Sequence, residues 1–445
     1  MKIKNLMLSL VAITSLITTS CDDDPDKVET NGLDNLKTEI KSDGTTTSGA
    51  IFSDIDGTTF WLDYVKYKIV DSHLEIIGYD EIELPKEPKL YAEVKLNGVT
   101  LKTRKMLNKA FQNAKIENII IPYTVTEINN KCFNNCKSLK SILLPDVLET
   151  IGDSCFYKCQ VLSSIILHNS VISIGEYCFA WCDSLSTITN YDNVTTIGKY
   201  CFVQCNSLTS FTIPKGVKSI SDGCFAYCSS LTSVDIPEGI TSFGESCFVG
   251  CKKLESISIP KSVVTLKDRC LAACEALSSI TIPKGIQYIP DNCFYGCFSL
   301  TSISIPESVR WIGNYSFFRC LSLTNINIPS SVTSIGEHCF QYCKSLTSIN
   351  IPDEVKSVKT CFQNCTSLPI ITIPSKVSSI WRCFYECTSL KSIIFKSLTP
   401  PTLDADFKGS DYGYGEITVY VPKESLNEYK ESYKKYGFKE ILPIE

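Results

Sequence analysis

The chain is poor in the groups from which most active sites are built. Histidine occurs three times in 445 residues, as His73, His168 and His338, and the three lie far apart along the sequence. A Ser-His-Asp triad or a histidine metal site needs such groups to converge, so their spacing argues against both. The sequence also contains no Gly-x-Ser-x-Gly, phosphate-binding loop or His-Glu-x-x-His motif. We therefore expect no enzyme activity, no cofactor and no metal site.

Positive charge is also in short supply. Lysine and arginine number 43 against 48 acidic residues, so the net charge is −5, and no block of basic residues occurs. A nucleic-acid-binding surface has to neutralise phosphates, which requires clustered positive charge. The sequence therefore predicts no nucleic-acid partner.

The first 20 residues predict a secretory signal peptide. Lys2 and Lys4 precede an apolar run from Leu6 to Ile17, which is too short to remain as a membrane-spanning anchor. The residues that end at Cys21 resemble a bacterial lipobox, and the three aspartates that follow resemble the export signal of Bacteroidetes surface lipoproteins. We expect lipidation of Cys21 and display on the outer membrane at the cell surface. Cleavage by an ordinary signal peptidase is the alternative.

One segment, Cys-Phe-x-x-Cys-x-x-Leu, is repeated along most of the chain. Its first slot recurs every 23 residues from Cys132 to Cys339, with Ser316 in place of cysteine once, and the step shortens to 22 at Cys361 and Cys383. A degenerate copy begins at Ala110, which gives about 13 coils of 22–23 residues. A fixed period of this length predicts a solenoid, in which each coil buries its apolar face against its neighbours.

Each coil is predicted to contain a long strand, a short strand and a helical turn. In one coil, Phe211 and Ile213 alternate with polar residues as in a half-buried strand, and Pro214 ends it. A shorter extended segment follows. The five residues from Cys224 to Cys228 are too few for a full helix and fit one helical or 3₁₀ turn. The predicted fold class is α/β, with parallel sheets and short helical turns.

The cysteines follow the repeat. Of 24 cysteines, all but Cys21 occupy its two slots, and an even number in an exported protein favours disulfides. However, Cβ atoms of residues i and i+4 on a helical turn lie about 5–6 Å apart, and a disulfide needs about 3.5–4.5 Å. Ser316 also leaves Cys320 without a partner in its own coil. We favour buried free thiols that act as small hydrophobic groups, with disulfides and metal binding as alternatives.

The repeat resembles a known family. The segment from Ile328 to Ile349, which reads Ile-Pro-Ser-Ser-Val-Thr-Ser-Ile-Gly-Glu-His-Cys-Phe, then Gln-Tyr-Cys-Lys-Ser-Leu-Thr-Ser-Ile, resembles the BspA-like (Treponema pallidum-type) leucine-rich repeat. Cysteine stands before the phenylalanine where that family usually has alanine. The resemblance implies a leucine-rich repeat solenoid displayed on a cell surface, with roles in adhesion and host interaction. It offers no catalytic residues.

The chain divides into five predicted parts. They are a signal peptide at 1–20, a lipid-anchored flexible tether at 21–50, a β-rich N-terminal cap at 51–109, the repeats at 110–395 and a C-terminal cap at 396–445. Asn97-Gly98 predicts a hairpin within the N-terminal cap, for which a small separate domain is the alternative. Ser425 is placed to begin a helix in the C-terminal cap.

Two surfaces are candidates for binding. The first is an uncharged face of the long strand, formed by Thr209, Ser210, Thr212, Thr232, Ser233, Ser258, Thr281, Thr301, Ser304, Asn327 and Asn350. The second is an aromatic stripe beside the Cys-Phe pairs, formed by Tyr157, Trp181, Tyr227, Tyr295, Tyr342 and Tyr385, with Phe318 nearby. Each surface also has a purely structural interpretation. The uncharged face would serve solubility and cross-strand pairing, and the aromatic residues would pack between coils.

The sequence favours one function over two others. The favoured function is an adhesin-like lipoprotein, monomeric, whose solenoid binds host or neighbouring-cell proteins or glycoproteins and which attaches to the membrane through Cys21. The alternatives are a glycan-binding lipoprotein that assists polysaccharide capture, and a passive envelope spacer. The sequence leaves these open, because a fold does not fix a function.

Overall fold

The computed structural model describes residues 27–29, 51–52, 58–96, 99–403 and 416–445. The predicted signal peptide, the lipidation site Cys21 and most of the predicted tether lie outside the described residues. The chain divides into two compact units, residues 1–171 with 188–190, and residues 172–187 with 191–445. Both contain coils of the repeat, and the described residues form about 14 turns. The predicted solenoid of parallel strands is confirmed.

The coil follows from alternation of apolar and polar residues. Phe211 is buried between exposed Ser210 and Thr212, because successive side chains of a strand point to opposite faces. This strand, Ser210–Thr212, pairs in parallel and in register with Ser233–Asp235, which lies 23 residues later. Equal spacing of the repeat therefore places equivalent residues directly above one another in successive coils.

The first unit begins with a mixed set of parallel and antiparallel strand pairs that lead into the coils. Its strands are Lys27–Glu29, Ile51–Phe52, Thr59–Leu62, Val65–Val70, His73–Tyr79, Glu93–Leu96, Val99–Met106, Asn118–Ile120, Glu127–Ile128, Ser141–Leu143, Thr150–Ile151 and Ser164–Ile166. Glu93–Leu96 and Val99–Met106 are antiparallel, so the predicted hairpin is confirmed, although its turn residues are not described. Val99–Met106 pairs in parallel with Glu127–Ile128. The N-terminal strands therefore share a sheet with the first coils.

The second unit contains the remaining coils. Its long strands are Ser210–Thr212, Ser233–Asp235, Ser279–Thr281, Ser302–Ser304, Asn325–Ile326, Ser348–Ile349, Ile370–Ile373, Ser392–Phe395, Thr418–Val421 and Glu440–Pro443. Its short strands are Ser173–Ile174, Thr196–Ile197, Ser219–Ile220, Ser242–Phe243, Thr265–Leu266, Tyr288–Ile289, Trp311–Ile312, Ser334–Ile335, Ser357–Lys359, Ser379–Trp381 and Thr402–Leu403. The strand Thr187–Thr189 falls on the boundary of the two units.

The segment predicted as one helical or 3₁₀ turn does form hydrogen-bonded i→i+3 turns, but they do not join into a continuous helix. In the coil that contains Phe202, the amide of Val203 donates to the carbonyl of Tyr200 (3.2 Å) and that of Cys205 to Phe202 (3.1 Å), which are successive i→i+3 turns. Tyr200 and Gln204 have φ of 54° and 58°, so left-handed residues interrupt any helix. The amides of Tyr200, Phe202 and Gln204 instead donate to carbonyls of the next coil. The turn therefore forms a ladder of hydrogen bonds between coils, in addition to those of the long strands and the short strands.

Stacks of identical side chains form the core. Phe202 lies 5.5 Å from Phe179 and 5.5 Å from Phe225, measured between ring centroids, and all three rings are fully buried. The leucines that follow the second cysteine, such as Leu208, are buried as well. Burying one such side chain stabilises the fold by about 1.5–3 kcal/mol. Because each ring needs neighbours on both sides, a coil is stable only within a stack.

The 23 cysteines of the described residues are all free and buried. In the second slot, the thiol donates a hydrogen bond to the phenylalanine carbonyl of the preceding coil, as from Cys228 to Phe202 (3.0 Å). Burial raises the pKa of Cys228 to about 12. In the first slot, the Ser316 hydroxyl contacts the carbonyl oxygens of Pro290 (3.0 Å) and Gly313 (2.8 Å). The Ser316 hydroxyl therefore has hydrogen-bond acceptors in the first slot, and this position needs no disulfide partner.

The C-terminal region continues the coil ladder and adds a helix. The 3₁₀ helices Lys423–Ser425 and Lys434–Tyr436 flank the α-helix Leu426–Tyr433. Ser425 is the N-cap residue as predicted, although its side chain makes no capping hydrogen bond. The Tyr429 hydroxyl donates to the carbonyl of Ser397 (2.9 Å), which ties the helix to the segment that follows the strand Ser392–Phe395.

No helix of the described chain is long and apolar enough to cross a membrane.

Candidate binding surfaces

The uncharged long-strand face is exposed as predicted, and in-register pairing aligns its residues in successive coils. Ser210 pairs with Ser233, and Thr281 pairs with Ser304. All eleven predicted residues are exposed: Thr209, Ser210, Thr212, Thr232, Ser233, Ser258, Thr281, Thr301, Ser304, Asn327 and Asn350. Ser258 belongs to a coil in which the long strand is not formed.

Several polar groups of this face are engaged within the solenoid. The Thr232 hydroxyl donates to the carbonyl of Thr209 in the preceding coil (3.0 Å), and Thr301 does the same to Ser278 (3.0 Å). The Asn350 side chain both donates to the carbonyl of Ile328 (2.7 Å) and accepts from its amide (2.9 Å). These side chains tie neighbouring coils together, so part of the face serves stability and not recognition.

The predicted aromatic stripe occupies two different positions of the turn. Tyr157, Tyr295 and Tyr385 directly follow the core phenylalanine, whereas Trp181, Tyr227 and Tyr342 precede the second cysteine. Tyr227 is 51% exposed, and Lys158 lies 5.2 Å from the ring centroid of Tyr157. Of the six residues, the structure joins Tyr295 and Tyr342 through the ring of Phe318, which lies between them.

Tyr295, Tyr315, Phe318, Arg319, His338 and Tyr342 form what we call the aromatic cluster. Ring centroids of Tyr295 and Phe318 are 5.0 Å apart, and those of Phe318 and Tyr342 are 5.5 Å apart. Tyr315 stacks on His338 at 4.6 Å and meets Phe318 edge-on at 5.6 Å. The Arg319 guanidinium lies 5.7 Å and 5.3 Å from the rings of Phe318 and Tyr342.

The local backbone explains why these side chains face outward. Tyr315, Arg319, His338 and Tyr342 have φ between 54° and 63°, the left-handed region at the two ends of the turn. The parallel coil spacing of about 4.8 Å then matches the distance at which rings stack. The five rings are half-buried and the guanidinium is exposed. The cluster is therefore rigid and accessible.

Sequence reasoning missed Tyr315, Arg319 and His338 as members of this group. Tyr315 and His338 precede the first slot of the repeat and Arg319 precedes the second, so the repeat pattern alone does not relate them. The available signal was their occurrence in consecutive coils. To infer from this that the three side chains lie close together, one must know that the turn is left-handed, and the length of the repeat does not show that.

The described residues offer little reactive chemistry. Among them, no group of three His, Cys, Asp or Glu side chains is placed to hold a metal ion. Burial raises the pKa of Cys297 to about 12, so its thiol is not a nucleophile near neutral pH. His338 instead takes part in a side-chain network, in which its Nδ1 lies 2.6 Å from Oε1 of Gln341. The cluster is suited to recognition through packing and cation–π contacts.

The chain is similar to known bacterial leucine-rich repeat proteins. The family model described as BspA type leucine rich repeat region matches residues 104–232, 195–321 and 287–410. A leucine-rich repeat protein of Bacteroides ovatus is similar at 28% identity, over 87% of this chain and 100% of that chain, with a TM-score of 0.68. The pneumococcal vaccine antigen PcpA is similar in fold, at 20% identity over 87% of this chain and 99% of that chain, with a TM-score of 0.53. No curated protein matches the chain.

Proposed function

Because the chain belongs to the BspA-type leucine-rich repeat family, we propose that it is a lipid-anchored cell-surface protein that binds host or neighbouring-cell proteins. The signal peptide and Cys21 supply the route to the outer membrane and the attachment. The solenoid supplies the binding surface, and catalysis plays no part.

The aromatic cluster is the observation that carries this proposal. Tyrosine and arginine are enriched among the residues that dominate protein–protein binding energies, and such residues gather in central patches. In the cluster, five rings and one guanidinium contact one another across three consecutive coils. Stacking fixes the rings before a partner arrives, so little side-chain entropy is lost on binding.

Binding of the purified full chain to fibronectin, laminin, collagen and mucin tests the proposal. We expect saturable binding to at least one of these proteins that survives its deglycosylation. The double variant Arg319→Ala with Tyr342→Ala removes two groups of the cluster and leaves the core phenylalanines in place. Since a hot-spot residue contributes about 2 kcal/mol or more, we expect affinity to fall by at least about 25-fold.

Tyr227→Ala is the matched control. Tyr227 occupies the same position of its turn as Tyr342 and is 51% exposed, but it lies outside the cluster. Affinity should be unchanged in this variant. Equal losses in the control and the cluster variant, or no binding to any of the four proteins, would overturn the proposal.

A further inference from the structure

A stacked aromatic pair, half-buried Tyr288 and exposed Trp311, lies on the short strands. Tyr288, Trp311 and Ser334 occupy equivalent positions of three successive coils and are paired in register. The rings of Tyr288 and Trp311 stack at 4.9 Å between centroids with an interplanar angle of 12°. Trp311 is 48% exposed. This pair is separate from the aromatic cluster, which is formed by residues of the turn.

The ring stack ends at Ser334. Tyr288 covers one face of Trp311, and the register places Ser334 on the side of the other face. A serine side chain is too short to cover an indole. Successive coils are about 4.8 Å apart, which leaves room for a ligand ring where a third aromatic side chain would otherwise stack. Ser357, the next residue in this position, is also small.

Two positively charged residues directly precede members of this ladder in the chain. Arg310, Thr333 and Lys356 occupy the position next to this ladder in three successive coils, and the Thr333 amide donates to the Arg310 carbonyl (2.8 Å). Arg310 and Lys356 are exposed, and within the described part of the chain neither forms an ion pair. At the coil spacing, their backbones lie about 10 Å apart. A carboxylate held between them would be attracted by both charges.

The acidic residues near Lys356 already have other partners. Glu337 pairs with Lys359 (3.4 Å), Glu354 with Lys376 (2.5 Å) and Asp353 with Lys396 (3.6 Å). These three carboxylates are therefore engaged with other lysines, and the Arg310 guanidinium donates a hydrogen bond to the backbone carbonyl of Glu307 (3.0 Å), not to a carboxylate. Such a site favours a ligand that carries negative charge of its own.

We propose that Trp311, Ser334, Arg310 and Lys356 form a binding site for an acidic sugar, which we call the Trp311 slot. The C–H face of a pyranose ring stacks on the uncovered indole face, and the sugar carboxylate lies between the guanidinium and the ammonium group. The Ser334 hydroxyl meets a sugar hydroxyl, and the Thr333 hydroxyl, which donates to the Arg310 carbonyl (3.3 Å), accepts from another. This site goes beyond the proposed protein binding, because it uses another face of the coil and another class of ligand.

Calorimetric titration of the full chain at low ionic strength tests the Trp311 slot. The probes are tetragalacturonic acid, its methyl ester and 3′-sialyllactose, so that the two carboxylated sugars distinguish a polyuronate from a sialylated glycan. We expect at least one carboxylated sugar to bind and the methyl ester to bind about tenfold more weakly. Trp311→Ser should weaken binding of the acid by about tenfold or more. The double variant Arg310→Gln with Lys356→Gln should abolish the preference for the acid over the ester.

Two further variants keep the test decisive. Ser334→Trp fills the slot with a third ring and should block binding without removing any protein contact. Trp381→Ser is the matched control, because Trp381 is 56% exposed on another short strand and should leave affinity unchanged. The proposal is overturned if neither carboxylated sugar binds, or if Trp381→Ser and Trp311→Ser weaken binding equally. Binding to the four matrix and mucin proteins should be unaffected by Trp311→Ser, so this inference and the proposed function can fail separately.

Discussion

At the scale of single residues, two of the glycines in the turn, Gly223 and Gly250, have a steric explanation. Gly223 has φ of +61°, and a Cβ placed on it would lie 2.1 Å from Cδ1 of Tyr200. Gly250 has φ of +71°, and its Cβ would lie 2.5 Å from the ring of Tyr227. The turn positions at which these glycines stand also hold Tyr, Trp, Arg and Lys in other coils, again with positive φ. Glycine is therefore required where a ring of the preceding coil lies flat against the backbone.

The substitution Gly223→Ala should destabilise the protein by about 2–5 kcal/mol. The left-handed backbone contributes about 1–2 kcal/mol of this, and the clash with Tyr200 contributes about 1–3 kcal/mol. In a Tyr200→Ala background the clash is gone, so the same substitution should cost only about 1–2 kcal/mol. Urea unfolding followed by circular dichroism measures the difference.

Gly296→Ala is the control for this measurement. Its φ is +69°, but the nearest atom to an added Cβ is 3.7 Å away, an ordinary contact. Ala273 adopts φ of 55° at the equivalent position of the preceding coil, which shows that alanine is accommodated there. We expect a cost of about 1 kcal/mol. A loss as large as that in Gly223→Ala would show that backbone conformation alone explains both glycines.

At the scale of the coil, the strands, the core and the presence of a turn were predictable, and the left-handed residues of the turn were not. The alternation around Phe211 and the recurrence of Leu208 identify buried positions directly, because burial follows the side-chain period of two. The turn depends on left-handed residues, and positions such as Tyr200 and Gln204 carry side chains that do not favour that conformation. Hydrogen bonds to the next coil stabilise these left-handed residues, and the sequence of a single coil does not predict such bonds.

The thiol core predicts a loss of stability at alkaline pH. Burial raises the pKa of Cys228, Cys297 and Cys387 to about 12, from an ordinary value of 9.0. Below pH 9 these thiols are protonated in both states and their contribution is fully present. As the pH rises from about 9 towards 12, the unfolded chain releases protons that the folded chain keeps, so unfolding becomes more favourable. Each fully buried thiol then removes about 1.4 kcal/mol per pH unit.

Thermal unfolding under a reducing agent checks this prediction. The midpoint should change little between about pH 7 and 8.5 and fall steeply between about pH 9 and 10.5. The control is a variant with Cys228→Ala and Cys251→Ala, in which fewer thiols titrate and the alkaline slope should be smaller. An equal slope in both proteins would contradict the assignment of this loss to the thiols.

At the scale of the whole molecule, recognition depends on which coils are neighbours. Tyr295, Phe318 and Tyr342 come together because their coils are consecutive, although they occupy two positions of the turn. The sequence indicated Tyr295 and Tyr342 as members of a stripe, but not that Arg319 and His338 join them. A repeat defines the scaffold through what its coils share, whereas a binding surface depends on what differs between them.

The most direct test of the account is side-chain oxidation footprinting of the full chain with and without a bound matrix protein. We predict that protection from oxidation is concentrated at Tyr295, Tyr315, Phe318 and Tyr342, while Tyr227 reacts equally in both samples. Protection spread evenly over the exposed aromatic residues, or confined to residues outside the aromatic cluster, would contradict the central claim.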